Sequence, residues 1–397
     1  MSATPGKNPY RPGAATVPLH LAGRDVQIKR FRKLLAGAPE LPANLRLTGL
    51  RGVGKSVLLR ELESVANASG WVAARRQLEP RHNTEDELCA LLAAVASAAG
   101  RRASRLGALK GAVTDAWVAT RGLLNVTIED VTFSLAGGGQ AETTLAEALF
   151  DAVETAVRSG HEGFVLLLDE AQVLHDDTDR GGEHPLSMLV AAVNALQESG
   201  LPIALVLCGL PTLRAHLQKA RTYSERMFRA ETIGELEGNP GAARDAFVEP
   251  LRSTGITADE ALIARVLEEV EGYPFFIQLW GAELWDAATS LGFDRFTEQM
   301  LDAIEGQIYE RLDEEFYAGR VETLTPSEQD VLMLSGQCPY PPLRTSDIRA
   351  RSDKSDGNIN VLMGRLTEQG VIYRIQKGQY AYTAPKFAEY LRRRAQA

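Results

Sequence analysis

The sequence has few of the residues that build disulfide or metal frameworks. Its three cysteines, Cys89, Cys208 and Cys338, lie far apart and in no CxxC spacing. This argues against a structural zinc site or a disulfide scaffold, and it fits a reducing compartment. The six histidines are scattered without HExxH or similar spacing, so they indicate no metal site.

Long apolar runs are also missing. No run approaches the roughly 18 residues that a membrane-spanning helix requires. The N-terminal sequence MSATPGKNPYRPG lacks the apolar core of a signal peptide. We therefore expect a cytoplasmic protein with no membrane partner.

The chain has no excess of positive charge. The net charge is −9, which argues against a protein that coats nucleic acid nonspecifically. The charge is uneven, because residues 323–397 hold 11 Lys and Arg against 7 Asp and Glu. This basic C-terminal part on an acidic chain predicts a local anionic partner.

Strand-like and helix-like segments alternate over residues 21–235, after a Pro- and Gly-rich extended arm at 1–20. Residues 164–168 and 202–208 are continuous apolar runs, as expected for parallel strands buried on both faces. The alternation predicts an α/β three-layer core with a parallel sheet. Within this core, period-2 alternation predicts a β-hairpin insertion in residues 103–141.

A Gly-rich segment between a predicted strand and a predicted helix matches the Walker A pattern GxxxxGK[ST] at every fixed position. Glycines let the backbone turn so that its N–H groups point at phosphate oxygens, and the following helix adds its N-terminal partial charge. Lys55 should reach the β- and γ-phosphates of ATP, and the Ser56 hydroxyl should bind Mg²⁺. The alternative is a chance Gly-rich turn. The predicted nucleotide-binding residues are Gly49, Leu50, Arg51, Gly52, Val53, Gly54, Lys55, Ser56 and Val57.

An acidic pair, Asp169 and Glu170, ends the apolar run LLLDE in the manner of a Walker B motif. Ligands bind at the carboxyl edge of the strands in open α/β sheets. We therefore expect Asp169 to hold Mg²⁺ through water and Glu170 to polarise the attacking water. The alternative is a solvated pair at a strand end. The Asp-Glu order favours an ATP hydrolase over a site that only binds nucleotide.

These segments together resemble the AAA+ P-loop ATPases of the origin-recognition/initiator-like clade and its bacterial relatives, which border the STAND signalling ATPases. The segment LAGRD at residues 21–25 is similar to their F-x-G-R-x-x-E motif, although Gln27 departs from it. The resemblance implies that Gly23 and Arg24 border the adenine. It also implies a nucleotide-binding core at 21–235 and a helical lid at 236–318.

The same resemblance extends to a candidate arginine finger. The segment SERMF at residues 224–228 is similar to the box that supplies an arginine to a neighbouring subunit's γ-phosphate. This implies a catalytic role for Arg226 in a nucleotide-dependent homo-oligomer. Arg221 and Arg229 are rivals, and a solvated arginine on a helix is the alternative.

Two sensor positions depart from the family pattern. The GYP segment at residues 272–274 looks like the start of the lid sensor helix, but Phe275 and Phe276 stand where initiators often carry an arginine. The strand that ends near Cys208 lacks the usual polar residue, for which Thr212 is a weak substitute. These gaps predict slow hydrolysis, as in a nucleotide-controlled switch.

Residues 323–397 show the order helix, helix, helix and hairpin that is typical of a winged helix. In DNA-binding versions the third helix enters the major groove and the wing touches phosphates. The alternative is a module for protein contacts or interdomain packing, which the acidic Asp353 and Asp356 beside the third helix fit. The predicted DNA contacts are Lys354, Ser355, Asn358, Asn360, Arg365, Arg374 and Lys377.

The sequence therefore predicts an AAA+ ATPase that binds ATP and Mg²⁺, hydrolyses ATP slowly and associates with duplex DNA. The alternative is a STAND-like signalling or scaffold ATPase whose winged helix mediates protein contacts and regulated oligomerisation. Salt-dependent binding to duplex DNA discriminates the two, because contacts to phosphates release counterions.

Overall fold

A five-stranded parallel sheet presents the acidic pair and the start of the Gly-rich segment at the ends of its strands. The computed structural model describes residues 7–13, 16–109, 140–177, 182–220, 224–236 and 240–396. The strand order is β2-β3-β4-β1-β5. The bounds are β1 Leu45–Thr48, β2 Val72–Gln77, β3 Phe164–Asp169, β4 Ile203–Gly209 and β5 Arg229–Thr232.

The predicted α/β class with a parallel sheet is confirmed. Every residue of β3 and β4 is buried, as continuous apolar runs predict for strands covered on both faces. β5 was not predicted, because its residues RAET are mostly exposed and polar. This strand forms at the sheet edge because β1 offers it a parallel partner, with Thr48 opposite Thr232.

Helices flank the strands in sequence and pack on them through a shared core of Leu, Val and Ala side chains. Residues 110–139, which contain most of the predicted β-hairpin insertion, lie outside the described residues. The helices up to residue 227 are α1 Asp25–Ala36, α2 Lys55–Ala68, α3 Glu85–Leu109, α4 Gln140–Arg158, α5 Pro185–Glu198, α6 Thr212–Ala220 and α7 Ser224–Met227.

Contacts divide the chain into two units. The sheet unit comprises Asp25–Thr48 and Lys55–Thr232, and the helical unit comprises Met1–Arg24, Gly49–Gly54 and Ile233–Ala397. The Gly-rich turn therefore groups with the helical unit. Among the described residues, none of the helices combines the length and the apolar character needed to cross a membrane.

The helical unit contains two small sheets among its helices. Its strands are β6 Thr257–Ala258, β7 Arg295–Phe296, β8 Leu343–Arg344, β9 Ile372–Gln376 and β10 Gln379–Tyr382; β6 pairs with β7, and the other three stand in the order β8-β10-β9. Its helices are α8 Pro240–Val248, α9 Glu260–Val270, α10 Pro274–Leu291, α11 Glu298–Leu312, α12 Gly319–Glu322, α13 Pro326–Gly336, α14 Thr345–Arg349, α15 Asp356–Glu368 and α16 Phe387–Gln396.

One hydrophobic core runs through the helical unit and includes the C-terminal module, which we define as residues 326–396. A π-helical turn, Asp313–Ala318, joins α11 to α12 at the end of the region expected to form a helical lid. Tyr317 in this turn is buried, donates its hydroxyl to the Pro385 carbonyl at 2.8 Å and stacks on Tyr390 at 4.8 Å. The C-terminal module is thus packed on the preceding helices.

The N-terminal arm contributes Tyr10 to the same core. The ring of Tyr10 lies so close to Gly281 that a Cβ there would be 2.4 Å from it. The Tyr10 hydroxyl donates to the carbonyl of Phe247 at 2.5 Å. Glycine in α10 therefore makes room for the arm.

Candidate nucleotide site

The carboxyl ends of neighbouring strands meet at one edge of the sheet. Thr48, the last residue of β1, pairs with Gly209 at the end of β4. Leu168 of β3 pairs with Leu207 of β4, so Asp169 stands one residue further along. Because the strands are parallel, these ends share the edge at which open α/β sheets bind ligands.

The buried thiol of Cys208 feels the charges of Lys55, Asp169 and Glu170. Burial and the charge of Asp169 raise the pKa of Cys208 well above its usual value, Lys55 opposes the shift and Glu170 adds to it. The thiol also forms a hydrogen bond with Asp169. Lys55 and Asp169 are themselves buried, with 8% and 4% of their surface exposed. Lys55, Asp169 and Glu170 are therefore near enough to Cys208 for their charges to act on its thiol.

Glu170 occupies a left-handed backbone conformation, with φ 54 and ψ 33. This conformation costs a non-glycine residue roughly 1–3 kcal/mol and is found most often at functional sites. The N–H of Glu170 donates to Oδ1 of Asp169 at 2.9 Å. This bond therefore fixes the Asp169 carboxylate relative to the backbone of Glu170.

Gln172, which the sequence analysis missed, ties Glu170 to the end of β4. Its Nε2 donates to Oε2 of Glu170 at 2.5 Å, and its Oε1 accepts the N–H of Leu210 at 2.9 Å. Gly209 leaves space for this amide, because a Cβ there would lie 2.4 Å from Oε1. Gln172 thus places a polar side chain at the end of β4, where Cys208 and Gly209 supply none.

Arg24 anchors the Gly-rich turn within the helical unit. Its Nη2 donates to the carbonyl of Val53 at 2.9 Å and to that of Gly234 at 2.7 Å. Burial lowers the pKa of Arg24, and Glu235 partly opposes that shift. Gly23 precedes it with φ +67, and a Cβ there would lie 2.8 Å from that of Ala242. These two residues of the LAGRD segment hold the turn.

Gly52 packs beneath two phenylalanines. It has φ +79, and a Cβ added to it would lie 3.2 Å from Cβ of Phe275 and 3.3 Å from Cζ of Phe316. Its carbonyl accepts the N–H of Phe275 at 3.1 Å. Gly54 has φ +83 and open space within 4 Å of an added Cβ. Side chains therefore fill the space beside Gly52, and the space beside Gly54 is empty.

The C-terminal module contacts the same turn. The N–H of Arg51 donates to the carbonyl of Thr383 at 2.8 Å. Thr383 is fully buried and donates its hydroxyl to the carbonyl of Gly370 at 2.6 Å. Neither Thr383 nor this contact was predicted, because no local pattern links residues so distant in the chain.

Three further predicted positions, Ser56, Val57 and Arg226, lie on helices. Ser56 and Val57 are half-buried in the first turn of α2. Arg226 is exposed on α7, and no ion pair joins it to another described residue. Its rival Arg229 lies 3.7 Å from Glu231 in an ion pair, and Arg221 falls outside the described residues.

The predicted DNA-contacting residues lie on α15, before it and on the hairpin. All except the half-buried Lys354 are exposed. Lys354 lies 3.2 Å from Asp330, and Asn360 accepts a hydrogen bond from Arg349 at 3.0 Å. Ser355 caps α15, because its hydroxyl oxygen accepts the N–H of Asn358 at 3.4 Å. Three of the seven side chains are therefore already engaged within the module.

Comparison with known proteins identifies the sheet-containing region. Residues 20–207 match the family described as AAA ATPase domain. Residues 314–391 match a second family, described as Domain of unknown function (DUF8462). No curated protein matches the sequence.

Two archaeal structures have the same fold. A Walker-type ATPase of Pyrococcus abyssi is 18% identical, with 94% of this chain and 96% of that chain covered and a TM-score of 0.55. The ORC2 protein of Aeropyrum pernix, solved in ADPNP–ADP complexes, is 13% identical, with 96% of both chains covered and a TM-score of 0.52. The α/β fold with its parallel sheet is thus shared with these two archaeal structures.

Proposed function

We propose that the protein binds ATP with Mg²⁺ at residues 49–57 and hydrolyses it slowly. The position of Asp169 and Glu170 at the carboxyl edge of the sheet, with the buried Lys55 acting on the same Cys208 thiol as both carboxylates, carries this proposal. Lys55 would bind the β- and γ-phosphates. The Ser56 hydroxyl and the buried Asp169 carboxylate are oxygen donors of the kind that Mg²⁺ prefers, and bound Mg²⁺ would offset phosphate charge.

Glu170 would polarise the attacking water in this scheme. Its carboxylate is held by Gln172 at 2.5 Å, so water activation requires that this hydrogen bond leave one oxygen accessible. Phe275, which packs on the Gly-rich turn where an arginine is usual, supplies no positive charge to the phosphates. The lack of this charge supports slow turnover of the kind that suits a nucleotide-controlled switch.

Substitution of Glu170 by Gln tests the hydrolytic part of the proposal. Glu170→Gln should bind ATP as the wild type does and lose phosphate release, because the amide cannot polarise water as the carboxylate does. ATP affinity by calorimetry and phosphate release are measured on the same preparation. Unchanged hydrolysis would show that Glu170 is not the base.

We also propose that the C-terminal module is a winged helix that associates with duplex DNA. The exposed cations Arg374 and Lys377 on its hairpin support this proposal. Their double substitution by Ala should weaken duplex binding and reduce its salt dependence, since each phosphate contact contributes about one unit to the slope of log affinity against log salt. Lys33→Ala, which removes an exposed lysine of the sheet unit, serves as the control. Affinity that barely changes with salt would contradict DNA binding.

A STAND-like signalling or scaffold ATPase is the second candidate. The hydrogen bond from Arg51 to Thr383 favours it, because the C-terminal module there meets the nucleotide-binding turn directly. In that case ATP should change the oligomeric state, and duplex DNA should not bind. Light scattering with and without a nonhydrolysable ATP analogue measures the first expectation.

A further inference from the structure

Two arginines of the helical unit share an unusual electrostatic setting. Arg51 lies in the Gly-rich turn and Arg320 in α12, and both are half-buried. The Nε atom of each is closed off from solvent and has no hydrogen-bond partner. No ion pair joins either of them to a carboxylate of the described residues. Burial, followed by the charge of Arg51, lowers the pKa of Arg320 to about 10.

Phe316 places Arg320 beside the turn. The Cζ atom of Arg320 lies 4.6 Å from the centre of the Phe316 ring. The edge of the same ring lies 3.3 Å from the position that a Cβ on Gly52 would take. Phe275 stacks on this ring at 4.7 Å. Arg320 is therefore held over an aromatic side chain that touches the segment expected to cradle phosphates.

Stacking on an aromatic ring does not by itself account for this arrangement. Arg393, in the same unit, lies 4.9 Å from the ring of Tyr309 and also pairs with Asp313 at 2.5 and 3.2 Å. That arginine has both a ring and a carboxylate. Arg320 has the ring, but its nearby charged neighbour is a second cation, Arg51. Two partly desolvated cations without a counter-ion are unfavourable unless an anion joins them.

We propose that Arg51 and Arg320 bind the terminal phosphate of a nucleoside triphosphate and so distinguish ATP from ADP. The inference rests on the proposed ATP site, adds Arg320 to it and gives the side chain of Arg51 a specific role. The backbone of the turn and Lys55 suffice for the phosphates common to ADP and ATP. The additional charge of a triphosphate matches the two unpaired guanidinium groups, and their planar donors suit phosphate oxygens.

Calorimetric titration with Mg–ADP and with a nonhydrolysable ATP analogue tests the proposal. Arg320→Met should weaken the analogue by about tenfold or more and leave ADP within about twofold, since a hydrogen bond to a charged group is lost only for the triphosphate. Arg51→Met should give the same selective loss. Arg393→Met is the matched control and should leave the ratio of the two affinities unchanged.

Thermal unfolding without nucleotide separates binding from a structural role. Removal of Arg51 relieves repulsion between like charges, so Arg51→Met should unfold at or above the wild-type temperature and lose only the extra stabilisation by the analogue. Equal loss of both nucleotides, or no loss of either, in the arginine variants overturns the inference and leaves the ATP site intact. A wild-type protein that binds neither nucleotide overturns the proposed function and the inference together.

Discussion

The backbone N–H of Arg51 donates a hydrogen bond to the carbonyl oxygen of Thr383 at 2.8 Å. Gly-rich turns of this type use their backbone N–H groups to bind phosphate. The carbonyl of Thr383 therefore occupies one of the N–H donors of the proposed nucleotide-binding turn. ATP binding and this contact of the C-terminal module should compete.

Hydrogen–deuterium exchange should report that competition. We expect Mg–ATP to increase deuterium uptake in peptides that cover residues 379–390, because loss of the bond from the Arg51 N–H to the Thr383 carbonyl loosens this segment and exposes its own N–H groups. Mass spectrometry with and without saturating ATP measures the change, and Lys55→Ala should show no ATP effect. Unchanged uptake in ATP-bound wild type would mean that the contact persists with nucleotide.

Gln172 should govern turnover without affecting ATP affinity. Gln172→Ala frees the Glu170 carboxylate from its 2.5 Å hydrogen bond, and a misplaced catalytic group lowers rates by about tenfold to a hundredfold. Steady-state phosphate release and calorimetric ATP affinity are compared for wild type and variant. Gln218→Ala removes another glutamine–glutamate bond, to Glu225 at 3.0 Å, and should leave the rate unchanged. A Gln172→Ala rate equal to wild type would remove Gln172 from the site.

The parallel sheet could be predicted because runs such as 164–168 and 202–208 are apolar throughout, which marks strands buried on both faces. Gln172 could not, because its role appears only when β3 and β4 place it beside Gly209. Arg320 was likewise missed, since α12 lies far along the chain from the Gly-rich turn. Local sequence patterns therefore indicated the sheet, whereas the roles of Gln172 and Arg320 depend on contacts between segments that are distant in the chain.

His216 should make stability depend on pH. Burial, followed by the neighbouring His175, lowers the pKa of His216 to about 4. In the unfolded chain the imidazole of His216 has a pKa of about 6.5. As the pH falls from about 6.5 towards the pKa of the folded state, the unfolded chain binds more protons than the folded chain, and stability falls. Stability from this group is complete above the unfolded pKa and is lost on acidification.

Urea unfolding at two pH values checks this expectation. His216→Gln should lose less free energy of unfolding than the wild type between about pH 7.5 and 5, because it has no proton to gain in the unfolded state. His20→Gln, which removes an exposed histidine, is the control and should behave as wild type. Equal losses in wild type and His216→Gln would contradict the shift.

Arg226 should act on a neighbouring subunit and not on its own nucleotide. Arg226 is exposed on α7, where another copy of the chain could be reached. Arg226→Ala should bind ATP normally and hydrolyse it poorly, and mixing it with Glu170→Gln should restore part of the activity if active sites form between subunits. Full activity of Arg226→Ala alone would rule out this role.

ATP affinity of Lys55→Ala tests the central claim most directly. Calorimetry with Mg–ATP compares wild type, Lys55→Ala and the exposed-lysine control Lys33→Ala. The account predicts that wild type and Lys33→Ala bind ATP alike and that Lys55→Ala shows no measurable binding. Wild-type affinity in a folded Lys55→Ala protein would contradict the assignment of residues 49–57 as the nucleotide site.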